Sequence, residues 1–259
     1  NMTQSLHPAA QNGFRSAAEL YQHARPDYPN QVLQWLEDEL MLDANAQVID
    51  LGAGTGKFIP YLAQITPQIH AVEPVAEMLA QLKLAYPNVD AVQAYSYPLP
   101  FASHSIDAVI CAQSFHWFAN IETLSEIYDV LKPQGHLGLI WNQRDIDVDW
   151  VNALAKLIAP FEGDTPRYHH HDWKHVFEHQ YLFQLHSVQS FQHTHRGTVE
   201  HVVSNRLLST SFIAAMPTVQ QQQLKRQFEQ IVQDYTGKSA QDEIEFPYVT
   251  YAYHFKKHA

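Results

Sequence analysis

Short apolar segments alternate with longer amphipathic segments between Gln47 and Trp141. The apolar segments predict strands at 48–51, 69–73, 89–93, 106–112 and 136–141. Between them, apolar residues recur at helical spacing and predict helices near 57–65, 75–85 and 121–131. A turn at 133–135 ends the third helix. Such alternation is typical of βαβ units, so the sequence predicts a parallel sheet with helices on both faces.

The flanking segments predict further helices and a closing pair of strands. Ser16–Leu40 has helical spacing that Arg25–Pro29 interrupts. Later segments predict helices at 148–159, 199–213 and 219–235, and antiparallel strands at 184–191 and 243–255. Because no repeat or long linker is present, we expect one domain over 2–259, with helical cap elements at 148–178 and 198–236 over the active site.

Composition and charge narrow the possible partners. The 259 residues are 46% hydrophobic and 17% charged, which is ordinary for a protein with a buried core. The sequence has no apolar run near the ~18 residues of a membrane span, and the single cysteine, Cys111, lies in an apolar segment. These features favour a cytoplasmic protein without a membrane partner. The net charge of −11, with no basic cluster beyond Lys256-Lys257, disfavours a nucleic-acid partner.

The strongest chemical signal is a glycine-rich turn after the first predicted strand, Asp50-Leu51-Gly52-Ala53-Gly54-Thr55-Gly56-Lys57-Phe58. Leu51 stands where a Walker A loop needs its first glycine, and Phe58 where it needs Ser or Thr. The spacing Gly-x-Gly-x-Gly also differs from the dinucleotide pattern Gly-x-Gly-x-x-Gly, which disfavours an NAD-dependent oxidoreductase. An acid before the glycines would repel a pyrophosphate but accept from a cationic amino-acid group. This favours S-adenosylmethionine.

A second acidic residue, Glu73, ends the second predicted strand. A carboxylate at that place in an open α/β sheet can accept hydrogen bonds from both ribose hydroxyls. The alternative is an exposed carboxylate at a strand end, but the glycine loop favours the ribose contact.

These and later motifs resemble the class I S-adenosylmethionine-dependent methyltransferases. The motifs are Asp50–Gly56, Val72-Glu73-Pro74 with Met78, Leu99-Pro100-Phe101, Ile106–Val109 and Leu131–Gly135. A weaker resemblance, to the small-molecule branch that includes trans-aconitate-methyltransferase-like proteins, rests on Ala24–Pro29, Ser114–Phe118, Trp141–Asp145 and Phe246–Tyr248.

The resemblance implies an α/β fold, a Rossmann-like, doubly wound, mostly parallel seven-stranded sheet with its last strand antiparallel and a helical cap insertion. It also implies contacts to S-adenosylmethionine. Asp50 and the glycines would line the methionine side, and Pro74 and Met78 the adenine. Ala94-Tyr95-Ser96 stands where the family often has Gly-Asp/Ser-Ala beside the adenine amino group, and Tyr95 departs from that pattern because it is not acidic. The implied cofactor residues are Asp50, Gly52, Ala53, Gly54, Thr55, Gly56, Glu73, Pro74, Met78, Tyr95, Ser96 and Gln113.

The segment Arg25–Pro29 is expected to fold over the cofactor. We expect Arg25 to pair with the methionine carboxylate and Tyr21 to assist, although a surface arginine after a helix would have the same sequence. Tyr28 is expected on the substrate side.

Candidate acceptor residues follow the fourth and fifth strands. His116 could act as a general base or form part of the pocket wall, since some nucleophiles need no base. Trp117 is expected to line the pocket. Arg144 could hold an anionic substrate or pair with Asp145 or Asp147.

The histidine-rich segment 169–179 lacks a zinc-protease motif, because Val176 follows His175. We interpret it as a solvated surface and predict no metal site. The predicted reaction is direct methyl transfer to a small molecule, with a carboxylate or hydroxyl as acceptor. The alternative is a non-catalytic protein that binds the cofactor as a sensor or partner subunit. The sequence does not indicate the oligomeric state.

Overall fold

A seven-stranded sheet forms the centre of the computed structural model, which describes residues 24–259. The strand order is β3-β2-β1-β4-β5-β7-β6, and β7 runs antiparallel to both of its neighbours. The other neighbouring pairs are parallel, which confirms the predicted doubly wound sheet with its last strand reversed. The strands are β1 (Val48–Leu51), β2 (Ile69–Val72), β3 (Asp90–Val92), β4 (Ile106–Ala112), β5 (Leu131–Arg144), β6 (Phe183–Thr198) and β7 (Glu243–Lys257).

Helices follow most strands at the positions that the apolar spacing predicts. They are α1 (Gln31–Asp38), α2 (Ile59–Ala63), α3 (Ala76–Ala85), α4 (Ile121–Val130), α5 (Asp149–Ile158), α6 (Arg206–Leu208), α7 (Ser211–Ala214) and α8 (Thr218–Thr236). Among the described residues, no helix combines the length and the apolar character needed to cross a bilayer.

The two faces of the sheet bury separate cores because successive side chains of a strand point in opposite directions. Ile49 and Leu51 pack with α4 on one face, and Val48 packs with α1 and α2 on the other. Helices therefore cover both faces of the sheet.

A third core joins α5 and α8 to the far end of β7. Trp150 of α5 and Phe228 of α8 pack with Phe246 and Tyr248 of that strand. Helix α5 follows β5, and α8 lies between β6 and β7. Because Tyr248 pairs with Arg144, this core lies beside the carboxyl end of β5.

The predicted single helix over 199–213 is wrong in one respect. A wide helical turn at Glu200–Asn205 leads into α6, and the helix then breaks before α7, where Thr210 adopts an extended ψ of 133°. The Ser209 hydroxyl donates to the Arg206 carbonyl at 2.6 Å, and such local bonds compete with helical ones.

Two boundaries also differ from the prediction. The turn at 133–135 lies inside β5 as an irregularity in its pairing with β4, with Gln134 at a φ of 62°. Strand β6 continues to Thr198, because its polar second half keeps pairing with β7 as far as Glu243, the first residue of β7.

Candidate cofactor and acceptor site

The glycine loop after β1 has the left-handed backbone that its sequence predicts. Gly52, Gly54 and Gly56 have φ values of 71°, 59° and 93°, a region that side chains with a Cβ rarely adopt. The amides of Gly52 and Ala53 donate to the Val72 carbonyl at 2.8 and 3.0 Å. The loop is therefore tied to the end of β2.

Ser114, which the sequence analysis did not single out, holds the same loop from the other side. Its hydroxyl donates to the Leu51 carbonyl at 2.8 Å. A Cβ on Gly52 would lie 2.6 Å from the Ser114 Cβ, so the two loops meet at a contact that only glycine permits.

Asp50 is a buried carboxylate without a hydrogen-bond partner among the described residues. It is 1% exposed, and neither oxygen accepts a hydrogen bond. Burial, and secondarily the neighbouring Glu73 carboxylate, raises the pKa of Asp50 to about 7. A cationic or hydrogen-bonding ligand group would stabilise its charge, which fits the ammonium end of S-adenosylmethionine.

Glu73 connects the glycine loop to the start of α3. Its Oε1 accepts from the Gly54 amide and its Oε2 from the Val75 amide, both at 2.8 Å. Burial raises the pKa of Glu73 to about 7, although the two amides act in the opposite direction. Each carboxylate oxygen has a second lone pair, so the predicted bonds to ribose hydroxyls stay compatible with this positioning role.

The raised pKa of Asp50 gives a pH-dependent prediction for the ligand-free protein. A carboxyl with a folded-state pKa above its unfolded value favours folding when protonated, so its contribution is lost as pH rises from about 4 to about 7. Asp50→Asn should therefore raise the melting temperature more at pH 8 than at pH 5. The exposed Asp38→Asn variant should show no such pH-dependent difference, and an Asp50→Asn gain equal at both pH values would contradict the assignment.

The predicted adenine contacts lie on α3 and after β3. Met78 is buried and Pro74 is half-buried. Tyr95 is half-buried, and the buried Ser96 hydroxyl lies 2.6 Å from the Thr123 hydroxyl. Their contacts to adenine stay predictions.

The remaining predicted residues of the glycine loop and of the segment before α1 differ in burial and in their contacts. Thr55 is buried, and its hydroxyl has no hydrogen-bond partner among residues 24–259. Gln113 adopts a φ of 58°, and its side-chain oxygen accepts from the Asn142 amide. Tyr28 is buried against Phe58 and Tyr61, with ring centroids at 5.2 and 5.7 Å. Tyr21 lies outside the described residues.

A cavity at the carboxyl edge of β4 and β5 gathers four arginines from distant parts of the chain. Arg25 precedes α1, Arg144 ends β5, Arg167 belongs to the segment after α5, and Arg206 begins α6. Gln113, His116 and Trp117 line the same cavity, so the structure brings these predicted residues together.

Two of these arginines have a partner in the chain, although Arg25 Nε has no hydrogen-bond acceptor among the described residues, and the other two have no acidic partner there. Arg167 pairs with Glu162 at 2.9 Å, and Arg25 donates to the Ser209 carbonyl at 3.1 Å. Arg144 and Arg206, 8% and 5% exposed, have no ion pair within residues 24–259. Arg144 Nη1 and Arg206 Nε also have no hydrogen-bond acceptor there.

Burial and neighbouring positive charges lower the pKa values of two arginines in this cavity. Burial, with Arg206 and Arg167 nearby, lowers the pKa of Arg144 well below its usual value. Burial also lowers the pKa of Arg167 to about 10, although Glu162 opposes the shift. Of the two alternatives for Arg144, pairing with Asp145 or Asp147 does not occur among the described contacts. Arg167 and Arg206 were not predicted from the sequence. An arginine among Val202, Val203 and Leu207 is the signal that could have revealed Arg206.

His116 accepts a hydrogen bond rather than offering a free lone pair at Nδ1. The Trp141 indole donates to that nitrogen at 3.1 Å, which places the hydrogen of a neutral imidazole on Nε2. Burial, followed by the charges of Arg167 and Arg25, lowers the pKa of His116 to about 3. At neutral pH this side chain is a neutral hydrogen-bond donor.

Comparisons with known proteins agree with this geometry. A family described as "Methyltransferase domain" matches residues 49–139. An uncharacterized methyltransferase-like protein of Schizosaccharomyces pombe is 35% identical over 247 residues, covering 94% of this chain and 95% of that one. An uncharacterized methyltransferase of Mycobacterium bovis is 38% identical over 154 residues, covering 60% of this chain and 61% of that one.

Solved structures share the fold at low sequence identity. A proposed type II methyltransferase from Anaeromyxobacter dehalogenans aligns with a TM-score of 0.66 at 20% identity, covering 90% of this chain and 97% of that one. A proposed methyltransferase from Bacillus halodurans aligns with a TM-score of 0.58 at 18% identity, covering 89% and 100%. The chain belongs to the class I S-adenosylmethionine-dependent methyltransferase family, and S-adenosylmethionine is its cofactor.

Proposed function

We propose that this enzyme transfers the methyl group to a carboxylate of a small organic acid held in the arginine-lined cavity. The observation that carries the proposal is the pair of buried arginines, Arg144 and Arg206, that lack an acidic partner within the described chain. Leaving a charge buried and uncompensated is costly, and an anionic ligand removes that cost. A guanidinium also matches a carboxylate bidentately.

The positive charge of the cavity is a local feature. The chain as a whole carries a net charge of −11, yet four arginines and one acidic residue, Glu162, meet around this cavity. Its position supports an acceptor role. Arg144 ends β5 and Gln113 follows β4, at the carboxyl ends of the parallel strands, where the glycine loop follows β1. Open α/β sheets bind their ligands at that edge.

The protonation of His116 favours a carboxylate over a hydroxyl as acceptor. A hydroxyl must lose its proton during methylation, and a histidine with a pKa of about 3 and an occupied Nδ1 is a poor base. A carboxylate oxygen is already deprotonated at neutral pH. In this proposal His116 donates from Nε2 to the acceptor and helps to orient it.

The bound cofactor supplies an activated methyl group on a cationic sulfur. The chain then has to hold the acceptor oxygen close to that methyl group and in line with the breaking bond, and such positioning accounts for large rate effects without acid–base chemistry. Arg144 and Arg206 hold the acid, and the half-buried Trp117 and the buried Trp141 limit the room around it.

A panel of small carboxylic acids, each paired with its primary amide, tests the proposal. With methyl-labelled cofactor, we expect label in the methyl esters of one or more acids and at least about tenfold less transfer to each matching amide, because the amide forms no charge-assisted bonds. With saturating S-adenosylmethionine, the turnover rate with the acid should stay constant between pH 6 and pH 8, because the acceptor carboxylate is already deprotonated. Equal labelling of an acid and its amide, or a rate that rises tenfold per pH unit, would overturn the proposal.

A further inference from the structure

A second cluster of potential metal ligands lies on β5, β7 and β6, away from the carboxyl end of β5. Glu39 follows α1, His136 lies in β5, His186 in β6 and His254 in β7. His254 pairs with Gly138 in the middle of β5, whereas the arginine-lined cavity lies at the carboxyl end of that strand and none of these four residues lines it. The cluster is therefore separate from the cofactor and acceptor site.

The packing of α1 on the sheet delivers Glu39 to this cluster. The Trp35 ring lies against Gly138, where an added Cβ would be 2.7 Å from the indole. Glu39 lies one helical turn beyond Trp35, so its carboxylate reaches the neighbouring His254.

A bulge in β6 delivers His186. Leu185 pairs with Phe255 and Ser187 pairs with His254, which leaves His186 as the extra residue between them. A bulge re-aims side chains, and here both His186 and Ser187 contact the carboxylate of Glu39.

Three potential ligand atoms converge in this arrangement. Glu39 Oε2 lies 3.4 Å from His254 Nδ1 and 3.8 Å from His186 Nε2, and all three atoms are within 4.8 Å of one another. Tetrahedral zinc with bonds of 2.0–2.1 Å separates its ligand atoms by about 3.3 Å. Small movements of these three side chains therefore suffice to bring their ligand atoms to the spacing of a tetrahedral zinc site.

We propose that Glu39, His186 and His254 bind one divalent transition metal ion, with zinc as the best fit and water in the fourth position. Two imidazoles and one carboxylate form a ligand set that suits zinc. His254 is buried, whereas the His186 side chain is 47% exposed, so a metal ion can reach the site from solvent on the His186 side.

Neighbouring side chains form the outer contacts that such a site needs. His136 Nδ1 lies 2.9 Å from His254 Nε2, so His254 can bind metal through Nδ1 while donating its other ring hydrogen to His136. The Gln189 amide donates to Glu39 Oε1 at 3.1 Å, and the Ser187 hydroxyl donates at 3.3 Å to Oε2, the oxygen that faces the histidines. Without metal, the hydrogen bond between the two histidines can reverse, so that His136 Nδ1 donates to His254 Nε2 and His254 Nδ1 donates to Glu39 Oε2.

The other group of possible ligands among the described residues fits a metal less well. Glu162 lies near His169 and His170, but Arg167 already pairs with that carboxylate at 2.9 Å. A cation there would face a guanidinium charge. This histidine pair is therefore the natural control for weak surface binding.

Metal uptake by protein stripped with EDTA tests the proposal. We expect wild type to bind one Co²⁺ with the intense visible absorption of four-coordinate cobalt, and Zn²⁺ to displace it and raise the melting temperature. His186→Ala and Glu39→Gln should each weaken Co²⁺ binding at least about tenfold, and His136→Phe should weaken it to a smaller extent. Since His186 is half exposed, its variant should melt like stripped wild type without metal.

The control separates this site from adventitious binding by surface histidines. His170→Ala should retain both the cobalt absorption and the stabilisation by Zn²⁺. Equal binding by wild type and His186→Ala, or loss of the signal in His170→Ala, would overturn the proposal. Methyl transfer is not part of the readout, so the result is independent of the acceptor assignment.

Discussion

Gly52→Ala is expected to weaken binding of S-adenosylhomocysteine by at least about 100-fold. The φ of Gly52 is 71°, and the new Cβ would lie 2.6 Å from Ser114 Cβ and 2.9 Å from its hydroxyl. Relief of that contact must move the loop or break the hydrogen bond from Ser114 to Leu51. Either change shifts the amides of Gly52 and Ala53 away from Val72, and with them the surface that faces the cofactor. Titration calorimetry measures the loss.

Gly237→Ala provides a matched control for backbone strain. Gly237 has a φ of 74°, and no atom lies within 4 Å of its added Cβ. This variant should lose about 1–2 kcal/mol of unfolding free energy to the left-handed backbone while binding S-adenosylhomocysteine like wild type. Equal affinities for wild type and a folded Gly52→Ala protein would show that the loop does not bind the cofactor.

The glycine loop and the sheet could be predicted because their signals are local. Positive φ values require glycine at particular positions, and a buried strand followed by a helix has a recognisable period. Asp50 and Glu73 then follow from their places at strand ends. The hydrogen bonds that the Gly54 and Val75 amides donate to Glu73 were not predictable, since they depend on how the loop and α3 meet.

The arginine cavity and the candidate metal cluster could not be predicted because they depend on distant parts of the chain. Arg206 reaches the cavity through a helix that breaks at Ser209, and that break has no strong signature in an otherwise helical segment. His186 reaches Glu39 through a one-residue bulge, and an uninterrupted alternation would have placed it on the opposite face from Ser187. The prediction of no metal site considered only histidines close in sequence.

Arg144→Met should reduce kcat/KM for a carboxylic acid acceptor by about 100-fold while leaving the affinity for S-adenosylhomocysteine within about threefold of wild type. Loss of one partner from a buried, hydrogen-bonded charge pair costs about 2–5 kcal/mol, and 1.4 kcal/mol corresponds to a factor of ten. Steady-state kinetics and calorimetry on the same preparation separate the two effects. If cofactor affinity falls as much as kcat/KM, Arg144 binds the methionine carboxylate and the acceptor assignment is wrong.

The same substitution should not destabilise the ligand-free protein. The pKa of Arg144 is lowered by burial and by Arg206 and Arg167, which means that the folded state disfavours its charge. Methionine fills a similar space without that charge, so the melting temperature of Arg144→Met should equal or exceed that of wild type. Arg196→Met, at an exposed residue paired with Glu245 at 3.1 Å, should change neither kcat/KM nor cofactor affinity. A large drop in melting temperature for Arg144→Met would mean that this arginine stabilises the fold and is not held in a strained position for an anionic acceptor.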